Sequence, residues 1–386
     1  GQSVDQRTQM KRSQRKAMGR QKRTFTPRVR TTRPLGVPIT PNQAPGVPLE
    51  APFEKDGQWY IPAPLASRLH QKSAIGRTET EGGIFLTSEE ILFCHWHRHV
   101  PLPSEDWFAQ SVESDPDLVA RAVAFDVARS GGELIVPVAN LSAKRNFSPS
   151  ASTWALRWNR EQNFSKEDPV AHVRWVWTTD DVNWMELEAW TAEVTSRGLL
   201  AELFVIDEEL DVTMYRLGYA DIAGNQTTWA TLTTEQIEGL RTGWSSRIPR
   251  GEGWYIPSEG EWPWGAIGVE HLSGRHLRNE EGLWLSSKLE ETSLPSHLAL
   301  YDDLMARGVV LRPGFKFGSQ WRIYDAAVGE AHAPWLLLPS ERAPVNWNGA
   351  CLSVRLAEGV HKIWVCAFEK ESAYRYLKMQ RWLPGR

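Results

Sequence analysis

The chain has 386 residues, of which 41% are hydrophobic and 24% charged, enough for two or three domains of an ordinary soluble globular protein. No run of about 18 apolar residues and no apolar segment near the start occurs, so we expect neither a membrane-spanning helix nor a signal peptide. The three cysteines, Cys94, Cys351 and Cys366, are scattered, which argues against a disulfide framework and a cysteine zinc site. A reducing compartment fits this pattern.

The net charge of −3 conceals a strongly basic beginning. Residues 1–34 hold eleven Lys/Arg and one acid, whereas the rest of the chain holds 33 basic and 46 acidic residues, a net of −13. Because this segment has almost no large apolar residues, we expect a disordered arm. Its charge indicates contact with a polyanion or, alternatively, a solubilising or targeting tail. Six prolines between residues 34 and 53 predict an extended linker.

Three short segments recur in the same order, which predicts a duplicated unit. They are Trp-Tyr-Ile-Pro at 59–62 and 254–257, a Gly-to-Ser hexapeptide at 83–88 and 282–287, and Val-Asn-Trp at 182–184 and 345–347. The offset falls from 199 to 163, so the second copy is shorter by 36 residues in its middle. We expect the extra residues to include much of 139–171, a polar stretch that predicts a loop and carries Lys144, Arg145, Arg157 and Arg160.

A helix is predicted to start near Thr87 and to end in the sequence Cys94-His95-x-His97-x-His99. A metal site is one interpretation of this cluster. Histidines two residues apart do not share a helical face, however, whereas a spacing of three or four would place them together. We therefore favour a structural role for these side chains.

Helices and strands alternate in the last 90 residues. Helical spacing of apolar residues predicts a helix over 296–307, ended by Gly308. The remaining predictions are strands at 309–311 and 335–338, a helix at 354–360, and strands at 363–368 and 374–382.

The same region holds an ordered set of motifs. They are Tyr301-x-x-Leu304-x-x-Arg307-Gly308, then Pro313-Gly-Phe-Lys316-Phe-Gly318, then a strand ending at Tyr324, then His332, and finally Arg355-Leu-Ala-x-x-Val360-x-Lys362. This series resembles the catalytic domain of the tRNA-intron endonucleases over about 80 residues. The duplicated layout resembles the archaeal homodimeric form of that family.

The resemblance implies an α+β fold in which two tandem endonuclease-like units follow the disordered basic arm. Each unit would have a small N-terminal α/β part and a C-terminal mixed-sheet nuclease-like part. We expect an arm and linker at 1–50, a structural unit at 51–245, the N-terminal part of the catalytic unit at 246–295, and the catalytic nuclease domain at 296–386.

The resemblance also implies three catalytic residues. Tyr324 would be the general base that takes the proton of the ribose 2′-OH, His332 the general acid that protonates the leaving 5′-oxygen, and Lys362 the positive charge beside the phosphorane. No metal and no cofactor would be needed. Taken singly, each of the three has an ordinary structural interpretation, such as a packing tyrosine or a lysine that complements a helix dipole. Their family order favours the catalytic one.

Two arginines of this family hold a flipped-out base between them, and planar guanidinium groups stack well on bases. Arg355 matches the first and Arg381 is the better candidate for the second. Lys144, in the predicted insertion, is a further candidate for RNA contact. The family often has Ser after its catalytic histidine, whereas this chain has Ala333, and the interval from Tyr324 to His332 is somewhat short.

The first copy lacks the active-site pattern. Aligning 194–207 with 356–369 places Leu200 opposite Lys362 and Glu193 opposite Arg355, so we expect this copy to be structural. The acidic run 207–211 is either a solvated turn or, as the family implies, a loop that docks on a basic cleft of a partner subunit.

These observations predict a tRNA-intron endonuclease that cuts precursor tRNA in bulge–helix–bulge structures and leaves 2′,3′-cyclic phosphate and 5′-hydroxyl ends. It would act as a homodimer without membrane contact, in the cytoplasm of an archaeon or in the nucleus of a eukaryote. The rival hypotheses are a catalytically silent subunit of a splicing complex and a non-catalytic RNA-binding protein driven by the arm. Deleting residues 1–34 would remove the salt-dependent affinity of such a binder but not the cleavage by an enzyme.

Overall fold

A computed structural model describes residues 48–142, 147–257, 262–329 and 332–384. The predicted arm at 1–34, Lys144 and Arg145 lie outside these residues. Within them the fold mixes helices with antiparallel and parallel strands, so the α+β class is confirmed. None of the described helices is long and apolar enough to cross a membrane.

Two small four-stranded sheets have the same strand order. In the first, the order is β1-β2-β4-β3, and in the second it is β10-β11-β13-β12, with antiparallel pairing throughout. The strands are β1 Phe53–Lys55, β2 Gln58–Ile61, β3 Arg77–Thr78, β4 Ile84–Leu86, β10 Ile248–Arg250, β11 Gly253–Pro257, β12 Val269–His271 and β13 Gly274–Leu277. The repeated Trp-Tyr-Ile-Pro segments contribute to β2 and β11, the equivalent second strands.

Helices surround both small sheets. A capping box starts the helix after β4, because the Thr87 hydroxyl accepts from the Glu90 N–H and the Glu90 carboxylate accepts from the Thr87 N–H. The helices in these regions are α1 Leu65–Ser73, α2 Ser88–Arg98, α3 Trp107–Ser114, α4 Leu118–Ser130, α6 Thr234–Ser245, α7 Asn279–Glu290 and α8 Ala299–Met305.

A ten-stranded sheet runs through the molecule in the order β14-β15-β16-β17-β18-β9-β8-β7-β6-β5. Its strands are β5 Leu134–Pro137, β6 Ala155–Trp158, β7 Ala171–Trp177, β8 Leu200–Ile206, β9 Val212–Tyr219, β14 Val310–Pro313, β15 Trp321–Tyr324, β16 Trp335–Pro339, β17 Ile363–Lys370 and β18 Ala373–Arg381. The pairs β7–β8 and β16–β17 are parallel, whereas the others are antiparallel. β9 and β18 pair antiparallel and join the two halves.

The two parallel crossovers are helices of the same length and the same cap. They are α5, Trp184–Ser196, and α9, Trp347–Gly359, each of 13 residues. The N-cap side chains Asn183 and Asn346 accept from the N–H groups of Glu186 and Gly349. The repeated Val-Asn-Trp segment thus marks equivalent helix starts.

Tryptophans anchor the cores on both faces of the large sheet. One face packs under α5 and α9, with Trp184, Trp190, Trp347 and Trp364 buried among aliphatic strand residues. On the opposite face, α2 and α4 cover the first half, and α7 and α8 cover the second half, where Trp284 is fully buried. Each of these large rings buries a large apolar area, so a few of them anchor each core.

Several predicted elements need correction. The helix predicted at 354–360 begins at Trp347, because the Asn346 cap and the spacing of Trp347, Ala350 and Val354 extend its buried face upstream. The stretch 139–171 is only partly a loop, since 155–158 form β6 in the large sheet. Arg157, predicted to lie in that loop, is buried, and its Nε donates to Glu202 Oε1 at 2.5 Å.

The alignment of the two copies is wrong by one residue. Ala201 of β8 and Trp364 of β17 both lie on the sheet face that packs against α5 and α9, so they are equivalent positions. They are 163 residues apart, as are the caps of these two helices. An offset of 162 would match residues of β8 with residues of β17 that point to the opposite face of the sheet. The offset of 163 places Leu199, not Leu200, opposite Lys362.

The same shift places Ala192, not Glu193, opposite Arg355. The first half therefore still lacks both cations at these positions.

The histidine cluster has protein partners. His95 Nδ1 lies 2.9 Å from the Val100 carbonyl oxygen, and His97 Nε2 contacts the Asp126 carboxylate. His99 caps the helix with a φ of 59°. Among the described residues, no group of three or more His, Cys, Asp and Glu side chains is placed to hold a metal ion.

Candidate active site

Three adjacent strands bring two of the predicted catalytic residues into one row. Ile323 of β15 pairs with Trp335 of β16, and Trp335 pairs with Ile363 of β17. One residue further on, the register aligns Tyr324 with Pro334 and Pro334 with Lys362. Since neighbouring strands lie about 4.8 Å apart, the Cα atoms of Tyr324 and Lys362 are separated by roughly 10 Å across the start of β16.

Lys362 lies in the tight turn between α9 and β17. The preceding residue, His361, has a φ of 58°, which turns the chain from the helix into the strand. The Lys362 Nζ donates to the Ala333 carbonyl oxygen at 2.9 Å. Partial burial, together with the like charge of Arg322, lowers the pKa of the Lys362 ammonium below its ordinary value.

His332 comes directly before Ala333, so the bond from Lys362 fixes the backbone beside the histidine. The His332 side chain is exposed, whereas Ala333 is buried. This arrangement anchors the loop through its alanine and leaves the imidazole accessible to a substrate.

Tyr324 ends β15 and is half-buried at the margin of the core below α7 and α8. Its nearest charged neighbour on the same strand is Arg322, whose guanidinium carbon lies 5.9 Å from the centre of the Tyr324 ring. The Arg322 Nε donates to the Pro313 carbonyl oxygen at 2.9 Å.

The sequence reasoning missed Arg322. The signal that could have identified it is the spacing Arg-x-Tyr, because residues two apart on a strand share a face.

Arg355 and Arg381 line one cleft of about 300 Å³. Both arginines are exposed, and the Arg381 N–H donates to Glu358 Oε1 at 2.7 Å. Trp364 pairs with Met379, so the register continues two residues further to place Arg381 beside Lys362. The cleft thus adjoins the row of Tyr324 and Lys362.

Tyr215, Cys351 and Asp207 also line this cleft. Burial is the main cause that raises the pKa of the Cys351 thiol, so this cysteine is not an activated nucleophile.

The first half of the sheet has a different group at the position of Tyr324. Tyr324 ends β15 and pairs with Val310, the first residue of β14, whereas Trp158 ends β6 and pairs with Leu134, the first residue of β5. Trp158 is fully buried, and its ring packs edge-on against Phe164 at 5.3 Å between centroids. An indole in an apolar cluster cannot serve as a base, which fits a structural role for this half.

Comparisons with known proteins locate the similarity in the same segment. Residues 294–376 match the family model of the tRNA intron endonuclease, catalytic C-terminal domain. This stretch runs from just before α8 into β18, so it includes Tyr324, His332, Arg355 and Lys362. The match confirms the predicted resemblance to this catalytic domain.

Curated relatives agree with the domain match. The chain is 26% identical over 180 residues to the tRNA-splicing endonuclease of Thermoplasma volcanium, covering 46% of this chain and 54% of the relative. It is 36% identical over 101 residues to that of Thermococcus gammatolerans, covering 26% and 58%, and 34% identical over 106 residues to that of Thermococcus kodakarensis, covering 27% and 62%. The chain thus spans little more than half the length of the relatives that it matches.

Proposed function

We propose that this protein is a tRNA-intron endonuclease that cleaves precursor tRNA at exon–intron junctions. The observation that carries the proposal is the row of Tyr324 and Lys362 across β15, β16 and β17, with His332 beside the Ala333 that Lys362 contacts, within the segment that matches the catalytic domain. Relatives named as tRNA-splicing endonucleases support the same activity.

The proposed reaction is a transesterification that needs an acid, a base and a positive charge. The phenolate oxygen of Tyr324 takes the proton of the ribose 2′-OH, and the freed oxygen attacks the adjacent phosphorus. The bond from phosphorus to the 5′-oxygen breaks as His332 protonates that oxygen. Lys362 stabilises the extra negative charge of the phosphorane. The products are a 2′,3′-cyclic phosphate and a 5′-hydroxyl, and no step in this scheme requires a metal ion.

Substrate recognition is assigned to the cleft between α9 and β18. A base flipped out of a bulge–helix–bulge would enter between the Arg355 and Arg381 guanidinium groups, beside Lys362. This arrangement couples recognition of an unpaired base to cleavage of a nearby phosphodiester bond. It supports specificity for RNA structure rather than for a long base sequence.

We also propose that the protein consists of two tandem endonuclease-like units, one structural and one catalytic, and that it acts as a homodimer with two active sites. The equal strand orders of the two small sheets and the equal crossover helices support the duplication. The exposed Glu208 and Glu209 in the β8–β9 turn support a role in dimer assembly, because they can meet a basic surface of a second copy.

A cleavage assay with a labelled bulge–helix–bulge RNA in excess EDTA tests this function. We expect cyclic phosphate ends from the wild-type protein and a rate lower by about 10²–10⁴-fold for His332→Ala, because that change removes the general acid. Lys362→Ala should slow the reaction by about 10²–10³-fold through loss of transition-state charge stabilisation.

Matched controls come from the same segment. His297 is an exposed histidine of the matched domain, and Lys378 lies on β18 away from the row, so His297→Ala and Lys378→Ala should cleave at near wild-type rates. A folded wild-type protein that cleaves no RNA would contradict the proposal and favour a silent structural subunit.

A further inference from the structure

A second charged cleft lies in the first half of the molecule, at the edge strand β5. Its walls are the C-terminal ends of α1 and α2, the junction of α4 with β5, and the loop that follows β6. Its volume is about 700 Å³, within the range of ligand-binding clefts. We call it the β5 cleft.

Four cations line the β5 cleft: Lys72, Arg98, Arg129 and Arg160. The carboxylate among its lining residues is Glu133, which lies 3.3 Å from Arg160 and 3.4 Å from the buried Arg157. This acid is therefore already neutralised from two sides. The cleft carries a net positive charge on a body whose net charge beyond residue 34 is −13.

The protein holds two of these cations through neutral groups, although the charge of the buried Glu90 also acts on Arg129. Arg98 donates to the Ser73 hydroxyl at 3.3 Å, and its guanidinium carbon lies 5.3 Å from the centre of the Phe93 ring. Arg129 donates to backbone carbonyl oxygens, including those of Ala74 and Ile135 at 2.9 and 2.8 Å.

Burial lowers the pKa of Arg129 to about 10, so this side chain keeps its charge at neutral pH. Within the described parts of the chain, no carboxylate forms an ion pair with Lys72, Arg98 or Arg129.

Lys72, Arg98 and Arg129 thus line one cleft without a carboxylate in an ion pair with them. This arrangement suits the binding of an anionic ligand. Gln71, Gln162 and Asn163 add neutral hydrogen-bonding groups to the walls, which suits phosphate and sugar oxygens. The openness of the cleft to solvent along an edge strand suits a polymer rather than an enclosed small anion. Phosphate contacts of this kind position a nucleic acid without reading its sequence.

We propose that the β5 cleft binds the phosphate backbone of the RNA substrate at a distance from the cleavage site. This inference rests on the proposed function for the identity of the RNA. The strand order places β5 six strands from β17, so the cleft lies roughly 30 Å from Lys362 along the sheet. A compact bulge–helix–bulge fragment bound at the active site would not need the β5 cleft, whereas a full-length precursor tRNA reaches it.

The test compares a double variant with a control of equal charge change. Lys72→Glu with Arg160→Gln alters two exposed cations of the cleft, and Arg250→Glu with Arg241→Gln makes the same charge change at two exposed cations outside it. Binding of full-length precursor tRNA and of a minimal bulge–helix–bulge RNA is measured at several salt concentrations, with Lys362→Ala added to prevent cleavage. Thermal unfolding of each variant verifies the fold.

We expect the cleft variant to bind the full-length RNA about tenfold more weakly than the control, with a salt slope smaller by about 1–2, because each phosphate contact contributes about 0.7–0.9 to that slope. Its affinity for the minimal RNA should match the control. Equal affinities of both double variants for the full-length RNA would overturn the proposal. Binding of polyglutamate that is lost in the cleft variant, with RNA binding unchanged, would assign the cleft to an acidic protein instead.

The outcome is separable from the proposed function. Cleavage by the wild-type protein decides the enzymatic activity, whereas the binding difference between the two double variants decides the β5 cleft. If the wild-type protein cleaves both RNAs and the two double variants bind equally, the proposed endonuclease activity stands and the proposed role of the β5 cleft is refuted.

Discussion

At the scale of single residues, the surroundings of Lys362 change the pKa of its side chain. Its ammonium group is partly buried and faces the like charge of Arg322, and both influences lower its pKa. In the proposed mechanism the charged form stabilises the phosphorane, so that stabilisation would be present below the lowered pKa and lost as pH rises through it. We expect the contribution of Lys362 to disappear at a lower pH than for an exposed lysine.

Arg322→Gln tests this coupling. The change removes a like charge, so the pKa of Lys362 should rise, and an NMR titration of labelled lysine side chains measures it. Arg342→Gln removes an exposed arginine from the same domain and should leave that pKa unchanged. A Lys362 pKa that stays the same or falls in Arg322→Gln would show that burial alone sets it.

The sequence predicted candidate residues but not their surroundings. The order of motifs named Tyr324, His332 and Lys362 as catalytic, which stays a prediction, and the strand register places Tyr324 and Lys362 in one row. Arg322 was missed because its effect on the pKa of Lys362 depends on how β15, β16 and β17 are aligned. The register of these strands cannot be determined from the sequence alone. The covered Ala333 was noted only as a departure, since its contact with Lys362 joins residues 29 apart in the chain.

At the scale of elements, strongly periodic helices and apolar strands were predictable, whereas β6 was not. The polar residues 148–152 precede this strand and favour a loop, and Arg157 lies within it. Glu202, 45 residues away, is the partner that makes burial of Arg157 possible. The local sequence pattern mispredicts β6 because the partner that allows Arg157 to be buried is distant in the sequence.

Glu188 on α5 joins elements of the two halves. Its buried carboxylate accepts from Tyr219 at 2.8 Å and pairs with Lys370 at 2.5 Å and Arg375 at 3.2 Å. Burial alone would raise its pKa, but these partners outweigh burial and lower it below the usual value. A carboxyl with a lowered folded-state pKa stabilises the protein above its unfolded-state pKa, and this stabilisation is lost as pH falls through the folded-state value.

Glu188→Gln should therefore lower the free energy of unfolding at neutral pH by about 1–3 kcal/mol, because charged hydrogen bonds become neutral ones. The deficit should shrink as pH falls into the range where the wild-type carboxylate takes up its proton. Urea unfolding at several pH values measures both effects, and the exposed pair Glu193–Arg197 supplies the control variant Glu193→Gln, with a change below about 1 kcal/mol. A deficit independent of pH would refute the role of the charge.

At the scale of the whole molecule, β18 joins the second half of the ten-stranded sheet to the first half. Trp382 follows β18, and its N–H donates to the Met214 carbonyl oxygen at 2.8 Å. The guanidinium carbons of Arg157 and Arg216 each lie 4.5 Å from the centre of its ring, and Glu202 bonds both arginines. The first half of the sheet therefore supports the strand that carries Arg381.

The acidic β8–β9 turn offers the whole-molecule test of the proposed homodimer. The Asp207 carboxylate accepts from the N–H groups of Glu209 and Asp211, so the turn is held rigid while Glu208 and Glu209 face solvent. A turn whose backbone is already fixed loses less entropy on meeting a basic surface of a second copy.

Reversing both charges with Glu208→Lys and Glu209→Lys should replace attraction by repulsion and weaken the dimer, whereas the equally exposed pair Glu252→Lys and Glu270→Lys should not. Sedimentation equilibrium distinguishes the 43.8 kDa monomer from an assembly of twice that mass. A wild-type protein that stays at 43.8 kDa at every concentration would exclude the homodimer. A dimer that survives the reversal would move its interface away from this turn.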